Sequence, residues 1–231
     1  MHEKEDNSKF NLVAKAQISP VKMLNEQKEE KLVKNGIKPG WIKNTLKKSI
    51  EKNKIVYYLN KNNTDDIILT ANKTGMFTYS IRNPINNEVF ANIKSNIFSN
   101  QFSIYDNQKS LIMKMIFNIN ILGFAGPMKM EVLLDPNNSR DEIGHFTNKT
   151  PTFSTIYKCY VLKFIDRTIK SSTKNFQLIN IKNENDIFLQ FALCDDNKYI
   201  LDYKAPFNVL TAFAVGIVTL SQKMLCEQIK D

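Results

Sequence analysis

Short apolar runs separated by polar turns dominate the chain from Trp41 onward. IVYYL (55–59), DIILTA (66–71), MFTYSI (76–81), EVFANI (88–93), NQFSIYD (100–106), SLIMKMIF (110–117), KMEVLL (129–134), YKCYVLKF (157–164), NFQLINI (175–181), IFLQFAL (187–193) and KYILDY (198–203) are rich in β-branched and aromatic residues. Asn, Asp, Gly or Pro clusters such as NKNNTDD, NPINN, YDNQKS and DDNK stand between most of them. The pattern predicts strands joined by hairpins, in an antiparallel sheet closed as a barrel or stacked as a sandwich. WIKNTLKKSIEKNK (41–54) has two readings: a first strand ending in a basic turn, which is preferred, or an amphipathic helix with Ile42, Leu46 and Ile50 on one face.

A different pattern follows the last strand. PFNVLTAFAVGIVTLSQKMLCE (206–227) is apolar on every face of a helix, with Asn208, Thr211 and Thr219 as its only polar positions through Leu220. A helix apolar all round is surrounded by protein or by lipid. The uninterrupted stretch of about 14 residues is short against the roughly 20 that a membrane span needs. The expectation is a helix buried in its own domain. A tail anchor and an exposed partner-binding helix are the alternatives.

Residues 1–36 are polar and patchy, with a helix predicted over 20–36, so the chain divides into an N-terminal extension (1–36) and a folded domain (37–231). Of 231 residues 42% are hydrophobic, enough for a sizeable core. The formal net charge is +9. Residues 1–54 hold 13 Lys against 7 acids, so the excess is concentrated in the N-terminal part and points to an anionic partner.

Several chemistries lack their residues. No GxGxxG or GxxxxGK[ST] is present to cradle a nucleotide. Cys159, Cys194 and Cys226 are widely spaced and odd in number, which suits buried thiols in a reducing compartment rather than disulfides or zinc. MHEKEDNSKF has no apolar core of a signal peptide, so a cytosolic protein is expected. His2 and His145 are the only histidines, and no motif joins His145 to Cys159 as base and nucleophile. No metal, no cofactor and no catalytic residue is expected.

Four collinear segments resemble the C-terminal domain of the tubby-like family: IKSNIFSNQFSIYD (93–106), NILGFAGPMKM (120–130), NKTPTFSTIYKCYVLKFIDRTIKSSTKNFQL (148–178), and the terminal run through Asp202, Tyr203, Pro206, Leu210, Ala212, Phe213, Ala214, Lys223, Cys226 and Glu227. The resemblance covers roughly residues 38–231. It implies a twelve-stranded antiparallel closed barrel filled by a hydrophobic C-terminal α-helix. It also implies a non-catalytic adaptor that binds phosphoinositides, of the 4,5-bisphosphate type, and tethers cargo in trafficking at the inner face of membranes. A nuclear role belongs to the family's range as well.

Carried over residue by residue, the resemblance places the headgroup cations at Lys73 and Lys94, with Lys47 and Lys48 near the mouth of the site and Arg82 as a compensating charge. Lys94 stands where the family has Arg, which keeps the charge but loses the bidentate fork. Lys73 is the only cation of TANKTGMFTYS, where the family has a run of them, and Ala125 and Met128 replace family cations while Lys129 is retained. Ordinary solvated lysines are the competing reading at each position. The expected partners are a phosphoinositide-containing membrane surface and a protein cargo the sequence does not identify, for a monomer without a nucleic-acid motif. A scramblase-like protein with the terminal helix as a span, or a nucleic-acid-binding transcriptional adaptor, are the alternative functions.

Overall fold

The computed structural model of the chain describes residues 40–62, 64–118, 129–136, 144–156 and 159–222, all within one compact unit, Pro39–Asp231. The extension 1–36, with the helix predicted over 20–36, lies outside them, as do Ala125, Met128 and most of the 120–130 segment, and Lys223, Cys226 and Glu227.

The strands are β1 (Ile42–Glu51), β2 (Lys54–Lys61), β3 (Ile67–Gly75), β4 (Thr78–Arg82), β5 (Val89–Ser95), β6 (Gln101–Asp106), β7 (Leu111–Asn118), β8 (Lys129–Leu134), β9 (His145–Asn148), β10 (Thr152–Ser154), β11 (Cys159–Val161), β12 (Phe176–Asn180), β13 (Asn183–Asp195) and β14 (Lys198–Tyr203). Twelve of them close a barrel in the order β1-β14-β13-β12-β9-β8-β7-β6-β5-β4-β3-β2, all antiparallel. Closure leaves no strand edge in this sheet. Residues 41–54 take the strand reading: Leu46 faces the interior opposite Leu59, and Lys52 and Asn53 form a two-residue turn with φ of 47° and 62°.

Two segments depart from the predicted pattern. YKCYVLKF supplies no barrel strand: only Cys159–Val161 is extended, and it pairs with β10 in a separate two-stranded ribbon. Its expected place between β8 and β12 is taken by β9, whose sequence HFTN is too short and polar to announce a strand.

The barrel is filled by α1 (Val209–Ser221), and Val209 through Leu220 are all buried. The apolar stretch is therefore covered by the barrel wall, and no helix among the described residues is long and apolar enough to cross a membrane. Asn208 starts α1 by accepting from the N–H groups of Leu210 (3.0 Å) and Thr211 (2.9 Å), while Thr211 Oγ1 accepts from the Asn208 N–H at 3.0 Å. Thr219 satisfies its buried hydroxyl by donating to the Val215 carbonyl at 2.9 Å. Gly216 is required by space: a Cβ there would stand 2.6 Å from Leu46 Cδ1 and 3.3 Å from Phe191 Cε2.

A strap, 162–175, crosses the outer face of β12, β13 and β14. It is tied to a row of polar side chains in register across those strands, Gln177, Gln190 and Asp202. Gln177 Nε2 donates to the Lys163 carbonyl at 2.8 Å. Gln190 accepts from the Ile165 N–H at 3.0 Å and donates to the Ile165 carbonyl at 2.9 Å. Asp202 takes both prongs of the Arg167 guanidinium at 2.7 and 2.6 Å.

Candidate functional site

Strand alternation fixes which end of the barrel each turn occupies. The turns β1–β2, β3–β4, β5–β6 and β13–β14 share one end, here the upper end, and β2–β3, β4–β5, β6–β7 and β12–β13 share the other. α1 enters from below, after β14, and ends above. Near that end, burial pushes the Tyr79 phenol up.

Register then places the five predicted cations. Lys73 lies on the same side of β3 as the buried Leu69 and Ala71 but past the last of them, exposed at the barrel mouth opposite Tyr79. Lys48 is on the same side of β1 as Leu46, opposite Tyr57, and half-buried below the same mouth. Lys94 is on the outer side of β5, opposite Thr78, with its ammonium 5.3 Å from the Tyr105 ring centroid. Lys73 and Lys94 are thus two strands apart at the upper rim, about 10 Å at the usual strand spacing.

The other two stand away from that pair. Lys47 is exposed on the outer wall, in the row Lys47–Tyr58–Thr70–Arg82. Arg82 ends β4 next to the lower turn 83–88, and its Nη1 donates to the Asn87 carbonyl at 3.0 Å. It lies three residues, about 10 Å, below Tyr79 along β4 and closes its own hairpin rather than converging with Lys73 and Lys94.

Two further cations share the outer wall with Lys94. Lys114 is in its row, through Ser103, and exposed. Lys129 begins β8 at the upper end, opposite Asn118. Lys129 was visible in the sequence as a retained cation. Lys114 was hidden, because Ile112 and Ile116 share its outward side and mask the alternation that would single it out.

A hollow of about 330 Å³ at the seam between strap and barrel is lined by Thr45, Arg167, Thr168, Cys194, Lys198 and Ile200, among others. Its chemistry is internal. Arg167 is committed to Asp202, and burial pushes the Cys194 thiol up, away from the thiolate that nucleophilic chemistry needs. Asp195 and Asp196 both accept from Lys170 Nζ, at 2.7 and 3.4 Å, and both remain exposed.

The sequence profile of the Tub family matches residues 135–222, which span β9 to α1. The protein king tubby of Drosophila melanogaster is 29% identical over 168 residues, covering 58% of this chain and 36% of that protein. King tubby 2 of Culex quinquefasciatus is likewise 29% identical, over 58% of this chain and 40% of that protein. The chain thus spans well under half the length of these relatives. A solved structure of an Arabidopsis thaliana protein aligns with a TM-score of 0.45 at 12% identity, covering 79% of this chain and 90% of that one. The helix-filled barrel, the profile match over residues 135–222 and the two insect relatives agree in what this chain is similar to: the tubby domain of tubby-like proteins.

Proposed function

We propose that this protein is a non-catalytic adaptor that docks on phosphoinositide-containing membranes at their cytosolic face. The observation that carries this reading is the pair Lys73 and Lys94 at one rim of the barrel, with Lys114 and Lys129 on the wall beside it. A polyphosphorylated headgroup is held by cations from more than one strand; here Lys73 rises from the inner side of the rim, and Lys94, Lys114 and Lys129 line the outer wall beside it, from β3, β5, β7 and β8. The likeness to tubby-like proteins makes a phosphoinositide the first ligand to test. A scramblase-like span is disfavoured, since α1 is enclosed by the barrel along its whole apolar length.

Lys73→Ala/Lys94→Ala is expected to bind vesicles containing phosphatidylinositol 4,5-bisphosphate roughly thirtyfold more weakly than wild type at physiological salt. That follows from about 1 kcal/mol for each lysine near an anionic surface. Arg82→Ala, at the other end, is expected to change binding less than twofold. Sedimentation with vesicles measures both. A double variant that binds like wild type would remove the assignment.

A further inference from the structure

Three neighbouring hairpins at the upper end raise apolar side chains into solvent. Ile50 is 72% exposed on β1–β2, Met76 77% on β3–β4, and Ile97 and Phe98 79% and 78% on β5–β6. Because β1 through β6 pair side by side, successive tips stand about 10 Å apart. None of these side chains packs into the core. Each tip is flanked by lysine: Lys48, Lys52 and Lys54 on the first, Lys73 on the second, Lys94 on the third.

The tips are held in shape. Asn96 Oδ1 accepts from the N–H groups of Asn100 (3.1 Å) and Gln101 (3.2 Å), and Asn96 Nδ2 donates to Asn100 Oδ1 at 2.6 Å, which props Ile97 and Phe98 outward. Thr74 donates to Thr78 at 3.3 Å across the second hairpin. At the base of the first tip, Glu51 accepts from the Tyr58 hydroxyl at 2.5 Å. The lower end offers a comparison: Ile85 is 93% exposed, but its turn, 83–88, carries Glu88, and the flanking cation, Arg82, is turned onto the Asn87 carbonyl at 3.0 Å.

We propose that the three tips insert into the headgroup–acyl boundary of an anionic bilayer, so that the barrel stands end-on with its upper rim in the membrane. This rests on the membrane reading above and adds its geometry. Apolar side chains ringed by lysine are the composition that lies in such an interface, where the methyl groups and ring leave water and the ammonium groups stay among the phosphates. A preformed tip loses little conformational freedom on insertion. End-on docking also brings Lys73 and Lys94 to headgroup level together.

The test uses the full chain and vesicles of phosphatidylcholine and phosphatidylserine, with and without phosphatidylinositol 4,5-bisphosphate, carrying lipids brominated in the upper acyl chain. Phe98→Trp is expected to shift to the blue and to be quenched on binding. Ile85→Trp and the native Trp41, which precedes β1 at the lower end, are expected to stay unquenched. Ile97→Ser/Phe98→Ser is expected to melt like wild type and to lose at least tenfold in vesicle partition, a loss that persists at high salt. Bound vesicles with an unquenched Phe98→Trp, or unchanged partition of the serine variant, would overturn insertion while leaving headgroup binding by Lys73 and Lys94 intact. Failure of the wild type to bind any of these vesicles would overturn both.

Discussion

Ala214→Asp is expected to yield no folded domain: an insoluble product, or a soluble chain without the β-sheet signal in circular dichroism and without a cooperative melt. Ala214 has 0% exposure at the middle of α1, and its neighbours on that helix, Phe213 and Val215, are equally enclosed. The buried residues are mainly Leu, Ile, Met, Phe and Ala, and none of those described is a cation that could pair with a carboxylate there. An unpaired buried charge either costs several kcal/mol or is neutralised at similar expense. The larger side chain must also push apart a wall already in contact. Against a domain stability of about 5–15 kcal/mol, these effects together are disabling.

A graded companion is Gly216→Val. It adds no charge but drives a Cβ to 2.6 Å from Leu46 Cδ1, and its expected result is a folded but clearly less stable barrel. If α1 were instead a membrane-facing element, Ala214→Asp would weaken membrane association and leave a soluble, cooperatively melting domain. Far-ultraviolet circular dichroism with a thermal melt distinguishes the two.

The elements legible in the sequence were those whose pattern is local. Turn residues and β-branched runs marked ten of the barrel strands, and basic WIKNTLKKSIEKNK held β1. The length and all-round apolarity of 207–220 were enough to argue burial, and the structure encloses Val209 through Leu220. β9 was not legible, because HFTN is a strand only by virtue of its neighbours β8 and β12.

Among the candidate site residues, Lys73 and Lys94 were legible as cations but their position at one rim was not, since that depends on counting strand directions around the barrel. The same count removes Arg82 to the opposite end. The exposed tips were hidden for a different reason. Ile97 and Phe98 have the composition of core residues, and only the turn geometry at 96–100 turns them outward. The strap was the least legible feature, because its partners lie 14 to 35 residues away and read in sequence as stray polar residues within apolar strands.

The strap leads to the second large effect. Arg167→Met is expected to lower stability by about 3–5 kcal/mol, the usual cost of orphaning one member of a buried ion pair. Asp202 has a fully buried side chain and Arg167 is 11% exposed. The guanidinium holds both carboxylate oxygens and also donates to Asn62 Oδ1 at 2.9 Å, which ties strap, β14 and the β2–β3 turn into one knot. The hydrogen bonds to Asp202 raise the Arg167 pKa above its ordinary value. Without Arg167, the buried carboxylate keeps, among the described residues, the Gln190 amide, 3.0 Å away, as its side-chain donor. Lys at 167 brings charge but no fork, so Arg167→Lys is expected to recover less than half of the loss. Arg167→Met/Asp202→Leu removes both charges and is expected to recover most of it. For a domain of this size the single variant corresponds to a drop of roughly 10 °C in Tm, together with faster tryptic cleavage after Lys163 and Lys170 as the strap lifts. A double variant no more stable than Arg167→Met would show that the strap's packing, rather than the orphaned charge, accounts for the effect.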